Sequence, residues 1–450
     1  MKKPLRSASS PAPALRIIAV AGVAACLLGT AGCSPGEEGP PTLTYWATNQ
    51  AISLEQDAEI LGETIDRFTE RTGIEVELEV VPWADLYSKI LAAVSSGEGP
   101  DVLNIGNTWA VTLQETGAFL PFEGQALEAI GGSERFVPTA WEASGKPGQA
   151  PTSVPLYAMS YGLYVNTKLF EAAGIDSPPV TWDEFVADAK TLTVDTDGDG
   201  AIDQWGTTLT GGAITSGAHF AFLLGQQHGA DWFGPDGTPQ LYSDGMIAAV
   251  RQYVDLVGAD AVAAPSDAES ELGADSIQDF VDGKAAMIMV QSPRAQFLLA
   301  GFEDWELAEM PVIDPLPAGG KPIGSHVAGT NVSVFADSPH QDEALQFVSF
   351  LTSVSEQEYL NEAYSTLAVT DEAYESGALE RADPSLEIAK GILADHAAPF
   401  PLDSRTGQAE TLIGTAVKGL LAKAATTGGV SETEIRAALQ DAQSQLVAAG

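Results

Sequence analysis

Residues 42–47 read TLTYWA and residues 74–81 read IEVELEVV, and both stretches alternate apolar with polar side chains at the period of two that a half-buried strand requires. Between them Ile60, Leu61, Ile65 and Phe68 recur at helical spacing, and Arg71-Thr72-Gly73 closes the predicted amphipathic helix. A helix over 87–94 and a strand over 101–105 follow, so strand and helix alternate as in a parallel sheet with helices on its faces. Residues 156–165, rich in aromatic and β-branched side chains, predict one further buried strand. Asn166-Thr167 then caps a short helix, 168–173, which Gly174 stops. Pro178-Pro179 forces an extended connector, and Thr181 caps a helix over 182–192 with Glu184 at the capping-box position. Further on, helices are predicted over 243–257, 276–281, 342–351, 412–423 and 432–448, and strands over 283–290, 307–310 and 327–335.

The amino terminus breaks this alternation. Lys2, Lys3, Arg6 and Arg16 precede an apolar run over 17–28 and then Thr30-Ala31-Gly32-Cys33. That run is too short for a membrane span, and small residues before a cysteine suit a signal peptide, 1–32, cleaved before a lipid-modified Cys33. Ser34 to Pro41, rich in Gly and Pro, reads as a tether over 33–41. The only other cysteine is Cys26, so the rest of the chain has no disulfide or thiol chemistry. About 400 residues remain, more than one core usually serves, and two lobes are expected. A formal net charge of −41 opposes contact with nucleic-acid phosphates and anionic lipid headgroups, so no nucleic-acid partner is expected.

Three phrases carry a resemblance: FTERTGIEVELEVVPWADLYSKILAAVSSGEGPDVLNI, then VPLYAMSYGLYVNTKLFEAAGIDSPPVTWDEF, then GKAAM at residues 283–287. In this order they resemble the maltose-binding-protein-like sugar-binding proteins of bacterial ABC importers. The resemblance implies an α/β, two-lobed periplasmic-binding-protein fold of type II, with discontinuous lobes joined by a hinge and a ligand cleft between them. It places 42–153 with 285–335 in the first lobe and 154–284 with 336–450 in the second, with crossings at Val154, Lys284 and Phe335. It also implies a monomeric receptor, lipid-anchored on the extracytoplasmic face of the cell membrane, that delivers a mono- or oligosaccharide to permease subunits driven by a cytoplasmic ATPase.

Sugars are held by stacking on aromatic rings and by hydrogen bonds to polar side chains near strand ends. Candidate contacts are Trp46, Asn49 and Gln50 after the first strand, Asn107 and Trp109 after the third, and Tyr157 and Met159 on the strand that the resemblance makes lobe-crossing. Met159 replaces a polar contact of the family, which argues against maltose-like recognition. The family pattern adds His219 on a second-lobe loop, Arg294 after the returning strand, and His326 with Gly329 in a turn. Trp232, in a glycine-rich loop, is expected to be a second aromatic platform opposite Trp109.

Residues 195–203, DTDGDGAID, place Asp195, Asp197, Asp199 and Asp203 at calcium-loop positions. The twelfth position is Gly206, not a bidentate glutamate, so the stretch reads either as a plain turn or as a calcium site, and no other cofactor is expected. No Gly-x-Ser-x-Gly, His-Glu-x-x-His, P-loop or dinucleotide fingerprint occurs, and the reading is of a non-enzyme. Two alternatives stand beside sugar binding: the same fold holding a polyamine or phosphate ester, and a secreted glycoside hydrolase using paired carboxylates.

Overall fold

The computed structural model describes residues 41–449; the signal peptide, most of the tether and Cys33 fall outside them. Eleven strands are described: β1 (Thr42–Thr48), β2 (Glu75–Val81), β3 (Val102–Gly106), β4 (Val154–Met159), β5 (Tyr161–Asn166), β6 (Trp205–Thr208), β7 (Ala285–Gln291), β8 (Trp305–Ala308), β9 (Ser325–His326), β10 (Ala328–Val334) and β11 (Ala397–Ala398). They form two principal sheets. The first has the order β2-β1-β3-β10-β4, with β1 parallel to β2 and β3 and with β10 antiparallel to β3 and β4. The second has the order β6-β7-β5-β8. Each sheet is the centre of one lobe.

The periodicities predicted from sequence appear with their caps. Helix Leu54–Thr72 starts at Ser53, whose side chain accepts from the Gln56 amide, and stops at Gly73, whose φ of 77° suits the left-handed cap. Helix Trp182–Leu192 begins with the complete Thr181–Glu184 capping box. In the first lobe, Leu43 and Tyr45 of β1 pack with Phe68, Phe347 and Leu351 on one face of the sheet. Leu103 and Ile105 pack with Leu86, Ile90 and Trp109 on the other. In the second lobe, Leu163 and Val165 face a large core built with Phe185, Phe222, Trp232, Val250, Ile413 and Leu421. Tyr164, pointing the opposite way, meets Phe280 and Phe297.

The lobe boundaries differ from those expected. The strand predicted over 156–165 is two strands: β4 ends at Met159 in the first sheet and β5 begins at Tyr161 in the second, so the crossing is at Ser160 and not at Val154. Both halves are buried on both faces, and that continuous apolar pattern hides the break. The segment 285–335 does not return whole to the first lobe: β7 and β8 pair antiparallel with β5, and only β10 joins the first sheet. The second crossing therefore lies at Val327, between β9 and β10, and not at Lys284. Nor is 336–450 wholly second-lobe, since Phe347, Leu360, Tyr364 and Leu386 fill the first lobe's core, while helices Thr406–Thr427 and Glu432–Ala449 pack in the second. The third pass is β11, parallel to β9, so Phe335 is not a crossing either.

Candidate ligand cleft

The two lobes meet where the C-terminal end of β3 faces the first turns of helix Thr406–Thr427. After β3 the chain enters a single 3-10 turn, Asn107–Trp109, that turns the Trp109 indole against Trp83 and Tyr87, with ring centroids 5.5 and 4.9 Å away. The Trp109 ring is 5 % exposed, yet its Nε1–H points out of the lobe and donates to Glu410 Oε2 at 3.1 Å. Thr108 Oγ1 donates to the same oxygen at 3.1 Å. The other oxygen, Oε1, lies 3.2 Å from His219 Nε2, and His219 Nδ1 lies 3.1 Å from the Tyr161 hydroxyl. His326 sits against His219 at 4.2 Å between ring centroids and against Phe400 at 4.9 Å.

Close backbone approach completes this seam. Gly407 donates its amide to Thr112 Oγ1 at 3.2 Å, and a Cβ there would come within 2.9 Å of the Tyr87 hydroxyl. Burial, with His219 next to it, holds the His326 imidazole well below its ordinary pKa and therefore neutral at neutral pH. Its Nδ1 has no hydrogen-bond partner among the described residues. Burial first, and the Glu410 carboxylate second, raise the Tyr87 phenol. The seam thus offers three aromatic rings on one lobe, and a carboxylate, an imidazole and a phenol on the other. Chemically it can stack an apolar ring face and exchange hydrogen bonds with hydroxyl groups.

Of the candidates read from sequence, Trp109, His219 and His326 come together here. The others are placed elsewhere. Trp232 has no exposed surface; it packs edge-on against Phe222 and Phe400 inside the second lobe, so the expectation of an open platform is corrected. A loop glycine pattern suggested exposure, but tertiary packing folded the ring inward. Tyr157 is 2 % exposed and lies edge-on to Tyr364 in the first core. Trp46 lies under the Lys89 ammonium, 3.9 Å from its centroid, and packs against the cluster that holds Leu103, Ile105 and Trp109.

Several polar candidates serve the backbone. Asn49 accepts from the Trp83 amide at 3.0 Å, opening a helix whose N-cap, Pro82, has no side-chain acceptor. Gln50 Nε2 donates to Thr330 Oγ1, and Asn107 Nδ2 donates to the Val327 carbonyl beside the second crossing. Gly329 pairs with Ala158, and a Cβ there would lie 2.5 Å from the Tyr157 carbonyl. Met159 ends β4 at the first crossing, 9 % exposed. Arg294 donates from Nε to Asp383 Oδ2 at 3.1 Å, an internal carboxylate.

The Asp-rich loop satisfies itself. Carboxylate oxygens of Asp195, Asp197 and Asp203 lie within 4.8 Å of one another, but Asp199 is outside the group. Asp195 accepts from the Gly198 and Gly200 amides, Asp203 from Thr196, and Asp199 from Ala201. Position twelve, Gly206, lies in β6 against the Ala189 backbone, so there is neither a bidentate carboxylate nor an exit helix. The donor set fits a closed turn better than a calcium cage.

Glu410 was not among the sequence candidates, although a signal existed. Ile413, Val417, Leu420, Leu421 and Ala424 form the buried stripe of helix Thr406–Thr427, and Glu410 is in phase with it. An acid on an apolar stripe demands partners. Tyr161 and Thr108 carry no comparable mark.

The fold has two lobes, three chain passes and a polar, aromatic seam between the lobes, and similarity to solved structures shows the same fold. The GacH receptor of Streptomyces glaucescens is similar at a TM-score of 0.74 and 20 % identity, over 91 % of this chain and 99 % of that one. The maltose/maltodextrin-binding MalE domain of Bdellovibrio bacteriovorus is similar at 0.74 and 21 %, over 90 % and 100 %. The profile of the bacterial extracellular solute-binding proteins matches residues 51–358, and the chain belongs to that family. A diacetylchitobiose-binding protein of Streptomyces coelicolor, DasA, is 25 % identical over 372 residues, 75 % of this chain and 78 % of its own. An uncharacterized lipoprotein of Streptomyces antibioticus is 27 % identical over 412 residues, 86 % and 84 %. A binding protein of Brucella abortus is 27 % identical over 286 residues, 63 % of this chain, and the match spans 65 % of that relative's length. These named relatives include binding proteins and a lipoprotein, and none of them is named as a hydrolase.

Proposed function

We propose that the protein is the extracytoplasmic receptor of an ABC importer and captures a mono- or oligosaccharide between its lobes for delivery to the permease. The observation that carries this is the seam itself, where Trp83, Tyr87 and Trp109 face Glu410, His219 and Tyr161. The pairing of ring faces with hydrogen-bonding groups is what a sugar asks of a site, whereas a phosphate ester would require cationic donors. The nearest charged side chain bonded in the seam is a carboxylate. Relatives named for diacetylchitobiose and structures named for acarbose and maltotriose support the same class. Because closure buries more of the ligand than either lobe alone, ligand shifts the lobes toward the closed form, and the permease reads that form.

Thermal shift across maltotriose, diacetylchitobiose, mannitol, spermidine and glucose 6-phosphate tests the reading. Binding at a hundredfold excess over Kd stabilises by about 2.7 kcal/mol, which raises Tm measurably. A response to spermidine or glucose 6-phosphate alone would overturn sugar binding. Cys33 is the anchor in this reading, and Cys33→Ala should release the protein from the membrane fraction; retention there would refute the anchor.

A further inference from the structure

Among the described residues, side-chain fastenings join the lobes on both faces of β5. On the Tyr164 face, Arg294 reaches Asp383, which lies between the first-lobe core residues Leu379 and Leu386. On the Tyr161 face stands Glu410. It is 2 % exposed, and two of its three hydrogen-bond partners, Thr108 and Trp109, belong to the other lobe. The titratable groups packed around it are His219 from helix Ile214–Gln227, His326 from β9, Tyr161 from β5 and Tyr87 from helix Trp83–Ser96. No lysine or arginine donates to Glu410 in the hydrogen bonds of the described residues.

A buried carboxylate is tolerated only while its oxygens are supplied with donors. Moving the lobes apart at residues 108–109 removes both donors of Oε2 at once, whereas His219 travels with Glu410 on the same lobe. The bonds run from protein to protein and need no solute. We propose that Glu410 is a clasp that holds the lobes together by itself, and that a ligand entering the seam must replace the Thr108 and Trp109 donors with its own. The second half of this statement rests on the seam being the ligand cleft; the first half does not.

The clasp is tested by a distance between the lobes. In the full chain with Cys26 and Cys33 replaced by Ser, spin labels at Ser95→Cys and Thr415→Cys, both exposed and on helices of different lobes, report closure by electron double resonance. Without added sugar, the short distance is expected to be populated beside the long one, leaving room for ligand to shift the balance further. Glu410→Ala is expected to lower the ratio of short to long distances by roughly ten- to a hundredfold, the worth of one to two charge-assisted hydrogen bonds. Trp109→Phe keeps an aromatic ring and removes Nε1–H, and it should shift the ratio in the same direction by less; it carries the test if Glu410→Ala does not fold. A merely structural role would lower Tm and leave the distances alone. Unchanged distances in the folded variants, or a wild type with only the long distance, would overturn the clasp. If the distances shift while no sugar binds, the clasp stands and the sugar reading falls.

Discussion

Removing Arg294 separates two roles that assign it to different partners. As a sugar contact, Arg294→Ala would weaken ligand binding and leave stability alone. The structure instead bonds it to Asp383, a carboxylate with 6 % of its side chain exposed, against 18 % for the arginine. Asp383 Oδ1 is supplied by the Ser385 amide and hydroxyl at 2.9 and 2.6 Å, so Oδ2 is the oxygen that loses its partner. Breaking a fully buried pair costs about 3–5 kcal/mol; with the arginine partly reached by water, roughly 1–3 kcal/mol is expected here. That corresponds to a fall in Tm of about 1–4 °C, at roughly 1.2 °C per kcal/mol for about 400 residues. Calorimetry on Arg294→Ala, Asp383→Asn and the double variant closes a cycle. Because the asparagine carries no charge to leave stranded, the double variant should lose less than the sum by about 1 kcal/mol or more. Additive losses, or an unchanged Tm accompanied by a tenfold fall in sugar affinity, would refute the internal pair and restore the ligand role.

Three other outcomes follow. Trp232→Ala should cost about 3–5 kcal/mol of stability, because the ring is wholly enclosed, with sugar affinity per folded molecule unchanged; urea unfolding beside calorimetric binding decides, and a stable variant with lost affinity would reinstate the platform. Asp267, raised by burial to about 7 from 3.8 and held by the Leu209 amide, binds its proton more tightly folded than unfolded. Its contribution is therefore fully present below about pH 4 and lost as pH rises toward 7, while neutral His326, with its folded pKa depressed, acts in the opposite sense and costs stability as pH falls below about 6.5. Asp267→Asn should remove the falling component, about 2–4 kcal/mol across that window, and a Tm-against-pH profile parallel to wild type would contradict it. Finally, millimolar calcium should leave Tm unchanged, since the loop carboxylates are occupied by backbone amides; a rise that Asp195→Asn abolishes would show a bound ion.

The chain alone determined the elements and the family pattern. Strand and helix periods, the Thr181 and Gly73 caps, and the order of phrases depend on residues close in sequence, where side-chain spacing dictates which face is buried. The lobes were a different matter. Whether residues 154–166 make one strand or two is decided at Ser160 by which sheet each half pairs with, and its flanks are equally apolar. The return of helices between 341 and 395 to the first lobe is likewise a matter of distant partners such as Phe68 with Phe347, 4.9 Å apart. At the site, Trp109 was legible because it follows the C-terminal end of a strand. Trp232 was misread because a loop's local pattern does not say which way its ring folds. Glu410 acquired its role only when Thr108, Trp109 and His219, about 300 and 190 residues earlier in the chain, were brought to within 3.2 Å of its two oxygens. Local sequence fixes periodicity, whereas the partners of a buried charge are chosen by the packing of whole lobes.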